Sequence, residues 1–218
     1  MKGMKKRFGM GAAAAAGLAL AGCGGGSGGG VNNPGQPTPL ASTSVIGLTT
    51  NNQLVAFNAA TPGTFSATRA ITGLRAGETL LGIDTRPATG ELIGLTDELR
   101  LYSLNTATGV ATFIGQATLP TDVGTAIGFD FNPAVDRIRV VTDTGLNFRI
   151  NPNNGQVVDF DPNTNGVQLD GALNYKSGDP NFGDSVQGVG AGYTRSRNPA
   201  PTGTETQLFV IDLSLIHI

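Results

Sequence analysis

Two aspartates occupy the same place in successive copies of a short motif. Gly-Ile-Asp at residues 82–84 and Gly-Phe-Asp at residues 128–130 are 46 positions apart, with no gap between the copies. Equivalent positions of a repeat lie at equivalent places in the fold, so Asp84 and Asp130 are expected on neighbouring inner strands facing a central channel. Two carboxylates that meet can act as general acid and base or hold a polar ligand. The interpretation that we favour is structural, with each carboxylate capping a turn or accepting backbone N–H groups between repeats, because repeated positions in such arrays are usually structural.

A second group of oxygen-bearing side chains stands at alternate positions of one loop. Calcium takes about six to eight oxygen ligands, and such spacing can supply several of them. The loop departs from the helix-loop-helix calcium motif, because Thr164 replaces its glycine and Asp170 its glutamate. A metal-free Asx-rich hairpin loop is the alternative. Calcium is the one cofactor considered, and its candidate ligands are Asp159, Asp161, Asn163, Asn165 and Asp170.

Residues 159–187 form the one long segment without a strand pattern. Loops of this length in a compact domain are usually functional or disordered. The segment mixes aromatic, charged and amide side chains that suit a polar ligand such as a glycan, with Tyr175 and Asp179 as candidate contacts. The alternative is an insertion that packs over one end of the domain.

Nucleophilic triads and transition-metal sites lack their usual side chains. The chain has one histidine, His217, and one cysteine, Cys23, and both are expected outside the folded domain. Ser-His-Asp and Cys-His catalysis and zinc binding are therefore excluded. Any enzymatic chemistry would rest on carboxylates, with calcium or Arg137 and Arg139 as electrostatic partners.

The first 43 residues carry an export signal and a tether. A basic patch at residues 2–7 precedes a small apolar run that is too short to span a bilayer. The run ends in Leu-Ala-Gly-Cys, which resembles a bacterial lipobox. We expect residues 1–22 to be removed as a signal peptide, Cys23 to be lipidated and the Gly/Pro-rich residues 23–43 to be a flexible tether. An ordinary cleaved signal peptide, in which Cys23 has no role, is the alternative.

Composition excludes nucleic-acid binding and favours an all-β fold. The chain has 14 Lys and Arg against 16 Asp and Glu, and removal of the basic signal segment makes the remainder more acidic. No basic stripe is left to neutralise phosphates. The 33 glycines, 12 prolines and absence of tryptophan are typical of a turn-rich β protein.

An internal repeat predicts the architecture. Residues 92–109 reappear in form as 138–155, a third copy begins at Ile46, and residues 208–212 read like 101–105. A period of roughly 40 to 50 residues made of short strands is the signature of β-propeller blades. A β-sandwich is the alternative, but it gives no reason for a repeat that stays in register over four strands.

The repeat also predicts the individual strands. We therefore predict an all-β protein with a β-propeller of four-stranded antiparallel blades over residues 44–212. The ring is expected to be incomplete because the chain is truncated at its C-terminus, and the first blade lacks the innermost strand that the lost segment would provide. The predicted strands are 45–50, 53–58 and 64–71 in the first blade, 79–85, 91–96, 99–105 and 110–114 in the second, and 126–131, 137–142, 146–151 and 156–160 in the third.

The motifs at 82–84, 86–90, 128–141, 143–152 and 170–175 resemble the bacterial family known as domain of unknown function 4394. The resemblance covers about residues 45–212. It implies an exported repeat domain, often on surface or secreted proteins, with more blades than this chain holds. It carries over no activity, since the family has none assigned.

Residues 213–218 resemble the translation of a transposase mosaic-end sequencing adapter. We expect the native sequence to depart from this tail near Asp212.

Two classes of function remain open. The first is a non-enzymatic lipoprotein of the outer membrane or cell surface, held by the lipid on Cys23, which binds a glycan or protein through loops at one end. The second is a carboxylate-based, calcium-assisted hydrolase or lyase that acts on polysaccharide and uses Asp84, Asp130 or the residues around Asp159.

Overall fold

The computed structural model describes residues 44–119, 123–197 and 206–215, and these are built from β-strands. A short 3₁₀ turn, Leu213–Leu215, follows the last strand, and the described residues contain no α-helix. The strands are β1 (Ser44–Leu48), β2 (Gln53–Asn58), β3 (Thr61–Ala70), β4 (Leu80–Thr85), β5 (Leu92–Thr96), β6 (Arg100–Leu104), β7 (Ala111–Gln116), β8 (Ile127–Asn132), β9 (Arg137–Thr142), β10 (Asn147–Ile150), β11 (Gly188–Tyr193) and β12 (Leu208–Asp212).

The strands form small antiparallel sheets that follow one another along the chain. The first sheet is β1-β2-β3, the second β4-β5-β6-β7, the third β8-β9-β10 and the fourth β11-β12. Consecutive strands pair in every sheet, which short turns make easy. The predicted all-β class is confirmed.

The repeat of the sequence is preserved in the pairing of the strands. Asp84 on β4 pairs with Ile93 on β5, and 46 residues later Asp130 on β8 pairs with Arg139 on β9. Every pair between β5 and β6 has its counterpart between β9 and β10 at the same offset. The second and third sheets are therefore two copies of one structural unit.

A threonine closes the same turn in three sheets. In each, its hydroxyl accepts the backbone N–H of the residue four positions later, and the turn passes through one residue with positive φ. Side-chain acceptors of this kind replace the ladder bonds that a turn leaves unmade. The bonds join Gln53 N to Thr49 Oγ1 at 3.2 Å, Arg100 N to Thr96 Oγ1 at 3.1 Å and Leu146 N to Thr142 Oγ1 at 3.0 Å, and the positive-φ residues are Asn52, Leu99 and Gly145.

The first strand of each later sheet contacts the sheet before it. β4 contacts β1, β8 contacts β4, and β11 contacts both β8 and β9. Apolar side chains fill the space between the sheets, and their burial is the main stabilising contribution. The core between the first and second sheets includes Leu54, Leu80, Ile83, Leu92, Tyr102 and Leu104, and the core between the second and third includes Ile93, Leu95, Leu101, Phe129, Phe131, Ile138, Val140, Phe148 and Ile150.

Glycines allow the first strands to approach one another closely. A Cβ atom on Gly82 would stand 2.7 Å from the Cβ of Phe129 on β8. A Cβ atom on Gly128, the equivalent residue of the next sheet, would stand 2.5 Å from the carbonyl carbon of Gly190 on β11. Only a residue without a side chain fits at these two contacts.

Two predicted strand positions are wrong. Residues 156–160 do not form the fourth strand of the third sheet, and only a bridge between Ile150 and Val157 remains. The chain turns away there, because Phe160 N donates to the carbonyl oxygen of Gln168. Residues 208–212 form the second strand of their sheet, whereas residues 101–105 contain the third strand of theirs. The alternation of apolar residues that suggested the match is shared by any half-buried strand.

Candidate functional site

Asp84 lies at the contact between the second and third sheets. Its side chain points at β8, where Oδ2 accepts the backbone N–H of Phe131 at 2.8 Å. Its other oxygen, Oδ1, accepts the N–H of Thr85 at 2.7 Å. The residue is only 7% exposed. Both oxygens of this carboxyl group are therefore acceptors for backbone donors.

Asp130 makes the same contact one sheet later. Its Oδ2 accepts the backbone N–H of Tyr193 on β11 at 2.7 Å. Phe131 follows Asp130 in the third sheet, and Tyr193 follows Gly192 in the fourth, so Gly192 holds the position that an aspartate holds in the two sheets before it. The carboxyl groups of Asp84 and Asp130 also share a side-chain hydrogen bond.

Burial raises the pKa of both carboxyl groups. The pKa of Asp84 rises to about 6, because burial outweighs the backbone N–H groups of Phe131 and Thr85, which favour the charged form. The pKa of Asp130 rises to about 8, because burial and then the neighbouring charge of Asp84 disfavour a second anion. The pair therefore keeps one proton at neutral pH, and this proton belongs to the two carboxyl groups together.

The five calcium candidates are not gathered around one point. Asp159 Oδ1 accepts the N–H groups of Asp161 and Gln168, at 3.1 and 3.0 Å. Asp161 in turn accepts the N–H of Asn163 and the hydroxyl of Thr164. Asn163 and Asn165 belong to the same turn, while Asp170 faces another element. The described residues hold no group of three or more His, Cys, Asp or Glu side chains placed to bind a metal ion, and calcium binding by this loop stays a prediction.

Asp170 instead joins two arginines of the third sheet. Arg149 on β10 donates from Nε to Asp170 Oδ2 and from Nη2 to Oδ1, each at 2.8 Å. Arg139 on β9 donates to Oδ2 as well. The two arginines pair across β9 and β10, and Arg139 pairs with Asp130 across β8 and β9, so the three side chains form one row on the sheet.

Tyr175 and Asp179 lie together in the long segment. The hydroxyl of Tyr175 donates to Asp212 at the end of β12, and this hydrogen bond raises the pKa of Tyr175. Asp179 Oδ1 accepts the N–H of Asn181 at 2.9 Å, as in an Asx turn. Neither side chain contacts Asp84 or Asp130 through a hydrogen bond, so the structure separates the ligand-contact candidates from the carboxyl pair.

Comparison with known proteins identifies the family. A model of a domain of unknown function (DUF4394) matches residues 53–217, which is most of the chain and nearly all of its described part. The chain belongs to the DUF4394 family. The resemblance of the motifs is thereby confirmed. No curated protein matches the sequence.

The DUF4394 domain also contains a buried polar cluster that the motifs did not reveal. Glu78 Oε2 accepts the hydroxyl of Tyr102 at 2.8 Å, and Oε1 lies 3.1 Å from Arg100 Nε as an ion pair without hydrogen-bond alignment. Asn52, in the turn of the first sheet, donates to the carbonyl oxygen of Glu78 at 2.9 Å and accepts the N–H of Leu80. The cluster joins the first and second sheets, a structural role.

The remaining predicted sites of this DUF4394 chain lie outside the described residues. Cys23, the signal peptide and the tether precede residue 44, and His217 follows residue 215. Among the residues that are described, no helix is long and apolar enough to cross a membrane.

Proposed function

We propose that the protein is an exported lipoprotein whose DUF4394 domain is a non-enzymatic binding module. The observation that carries this proposal is that the carboxyl pair is bonded to the protein's own backbone. Asp84 is buried and Asp130 is half-buried, and both carboxyl groups accept backbone N–H groups of the following sheet. They therefore resemble structural hydrogen-bond acceptors between sheets. Catalytic groups would instead have to be accessible to a substrate.

The long segment supports binding through a loop. Its first part is closed on itself, because Phe160 N donates to the carbonyl oxygen of Gln168 and Asp159 accepts from the same residue. Compact loops of this kind are frequently functional. The loop presents large apolar side chains to solvent, and these would supply contact area to a glycan or protein partner. They are Phe160, Val167 and Phe182.

The arrangement of the sheets supports a propeller as the finer description of the fold. The first strands β4, β8 and β11 succeed one another at the contacts between sheets, as inner strands of blades do. The first sheet would then be a blade without its inner strand, because β1 contacts β4 as the second strand β9 contacts β11. Further strands would complete the ring.

A carboxylate-based hydrolase or lyase is the second candidate. It is favoured by one observation, the carboxyl pair whose raised pKa values keep a proton near neutral pH. Against it stands the burial of Asp84, which leaves a substrate no approach to that oxygen pair.

A joint binding and turnover screen tests both candidates. The chain without its signal segment is applied to an array of neutral and uronate-containing glycans and to a panel of polysaccharides, each with and without calcium. We expect binding without turnover, and binding lowered by Phe160→Ala with Phe182→Ala while Val135→Ala, an exposed valine on a turn of the third sheet, leaves it unchanged. Turnover that Asp130→Asn abolishes would replace the binding module with the enzyme.

Fractionation tests the lipid anchor. Expressed in a Gram-negative host, the full chain should enter the membrane fraction with a diacylglyceryl group on Cys23, detectable by mass spectrometry. Cys23→Ser should leave the protein soluble or unprocessed. Wild-type protein found soluble in the periplasm would refute the anchor.

A further inference from the structure

We propose that Arg139 and Arg149 form a preformed carboxylate-binding site, which Asp170 of the chain itself fills as an internal ligand. The inference rests on the proposed binding function and names the chemistry that the site recognises. Asp170 receives donors from both arginines, with Arg149 gripping both of its oxygens. Two parallel N–H donors on one carboxylate are the geometry by which arginine recognises acids.

Arg139 is held in place by groups other than Asp170. Arg139 donates from Nη1 to Asn147 Oδ1 at 2.7 Å and from Nε to the hydroxyl of Tyr193 at 3.3 Å. Both arginines stand on paired strands of one sheet, which fixes the spacing of their backbones. Arg139 is therefore expected to keep its orientation when Asp170 leaves, because its other donors are held by Asn147 and Tyr193.

Asp170 comes from a loop and not from the sheet that carries the two arginines. It lies in the segment between β10 and β11, which has no strand of its own. Its side chain is 9% exposed, while those of Arg139 and Arg149 are 16% and 28% exposed, so solvent reaches the arginine side of the contact. Asn147 Nδ2 donates to the carbonyl oxygen of Gly171 at 2.7 Å, and the neighbouring Leu169 packs against the core between the second and third sheets.

The charges of the site select an anion. Arg139 and Arg149 bring two positive charges that no side chain other than Asp170 neutralises by an ion pair within the described residues. Asp130, next in the row, shares one proton with Asp84 at neutral pH, which reduces the negative charge at this end of the row. An external carboxylate, such as that of a uronic acid or an acidic side chain, would replace Asp170 with the same charge and the same two acceptor oxygens.

The internal ligand must lower the affinity for an external one. A ligand that binds only the fraction of molecules with Asp170 displaced has its apparent dissociation constant raised by the inverse of that fraction. Removing the charge of Asp170 without changing its shape should therefore expose the intrinsic affinity of the arginines. Asp170→Asn does this, and Asp136→Asn is the matched control, because Asp136 accepts two donors from a single arginine, Arg86, on a different turn.

The experiment measures binding of glucuronate and acetate by calorimetry at constant ionic strength, with chloride as the reference anion. We expect Asp170→Asn to bind both carboxylates at least tenfold more tightly than the wild type does, and Asp170→Asn combined with Arg149→Gln to lose this gain. Asp136→Asn should behave as the wild type. A preference for glucuronate over acetate would indicate that the site recognises a sugar acid. Equal binding of the two would indicate that it recognises the carboxylate group alone.

A second measurement uses the wild-type protein. Lys176 is the one trypsin site between Arg149 and Arg195, and it lies in the segment that Asp170 ties down. Glucuronate should speed cleavage after Lys176 severalfold relative to chloride, since it competes with Asp170. Unchanged cleavage, together with Asp170→Asn binding no carboxylate more tightly than the wild type, would overturn the site. If Asp170→Asn binds carboxylates more tightly but the protein binds no glycan on the array, only the proposed function would be overturned.

Discussion

Asp84 and Asp130 are repeat-equivalent residues, but their carboxyl groups make different hydrogen bonds. Asp84 accepts backbone N–H groups with both oxygens, whereas Asp130 accepts one with Oδ2 and shares its proton with Asp84. Two neighbouring anions would repel in this buried setting, and the shared proton turns that repulsion into a hydrogen bond. Because both oxygens of Asp84 already accept backbone N–H groups, we expect the shared proton to reside on Asp130.

This asymmetry makes stability depend on pH. Both groups have raised pKa values in the folded chain, about 6 and about 8, against about 3.9 for aspartate in an unfolded chain. The folded state then binds more protons, so the contribution is fully present below about pH 4 and is lost as the pH rises through about 8. We expect the free energy of unfolding to fall by several kcal/mol over this interval, because both groups contribute to the loss.

Two isosteric substitutions separate the roles of the pair. Asp130→Asn keeps a donor toward Asp84 and an acceptor for Tyr193, so urea unfolding should show a weaker pH dependence and equal or higher stability than the wild type at pH 8. Asp84→Asn turns an amide N–H toward a backbone N–H and should lower stability at every pH, by about 1 to 3 kcal/mol. Equal effects of the two substitutions would contradict the assignment of the proton.

Asp161 is the control for this pH dependence. Its pKa is lowered, first by the hydroxyl of Thr164 and then by Asn163. A carboxyl group with a lowered pKa contributes stability above its unfolded pKa and loses it as the pH falls. Asp161→Asn should therefore lower stability by a constant amount between pH 5 and 9, leave the slope over that range unchanged, and remove the pH dependence that this group adds in more acidic solution.

At the scale of the elements, the sequence predicted the repeated features and missed the unrepeated ones. The offset of 46 residues fixed the pairing of the second and third sheets and the equivalence of Asp84 and Asp130. The partners of these aspartates lie on the following sheet, and the contact of Asp170 with Arg139 spans 31 residues outside the repeat. A single repeat unit contains no information about such contacts, because they depend on how the sheets stack.

The close approach of the first strands can be tested by adding one methyl group at their contact. Gly128→Ala would place a Cβ atom 2.5 Å from the carbonyl carbon of Gly190, with backbone rather than a flexible side chain in the way. We expect thermal unfolding to show a loss of about 1 to 3 kcal/mol, since β8 and β11 must separate. Gly171→Ala, where nothing lies within 4 Å, is the matched control and should change stability by less than about 0.5 kcal/mol.

At the scale of the whole molecule, the same face of successive sheets is covered in the second and third sheets but exposed in the fourth. The face that carries Ile93 in the second sheet and Arg139 in the third is covered by later parts of the chain. The same position in the fourth sheet belongs to Phe209, because Phe209 pairs with Gly192 as Arg139 pairs with Asp130. Phe209 and Ile211 are 63% and 57% exposed, and no described strand lies against them or pairs with the outer edge of β12.

An exposed apolar face on an edge strand predicts self-association of this chain. Such a strand offers unpaired N–H and C=O groups to another chain, and β12 lacks the lysines and prolines that usually protect an edge. Light scattering coupled to size exclusion should show oligomers that grow with concentration, and Phe209→Lys with Ile211→Lys should return most of the protein to monomer. Val135→Lys, which adds charge at an exposed valine away from this edge, is the control. If that control disperses the oligomers as well, net charge and not the β12 edge drives association.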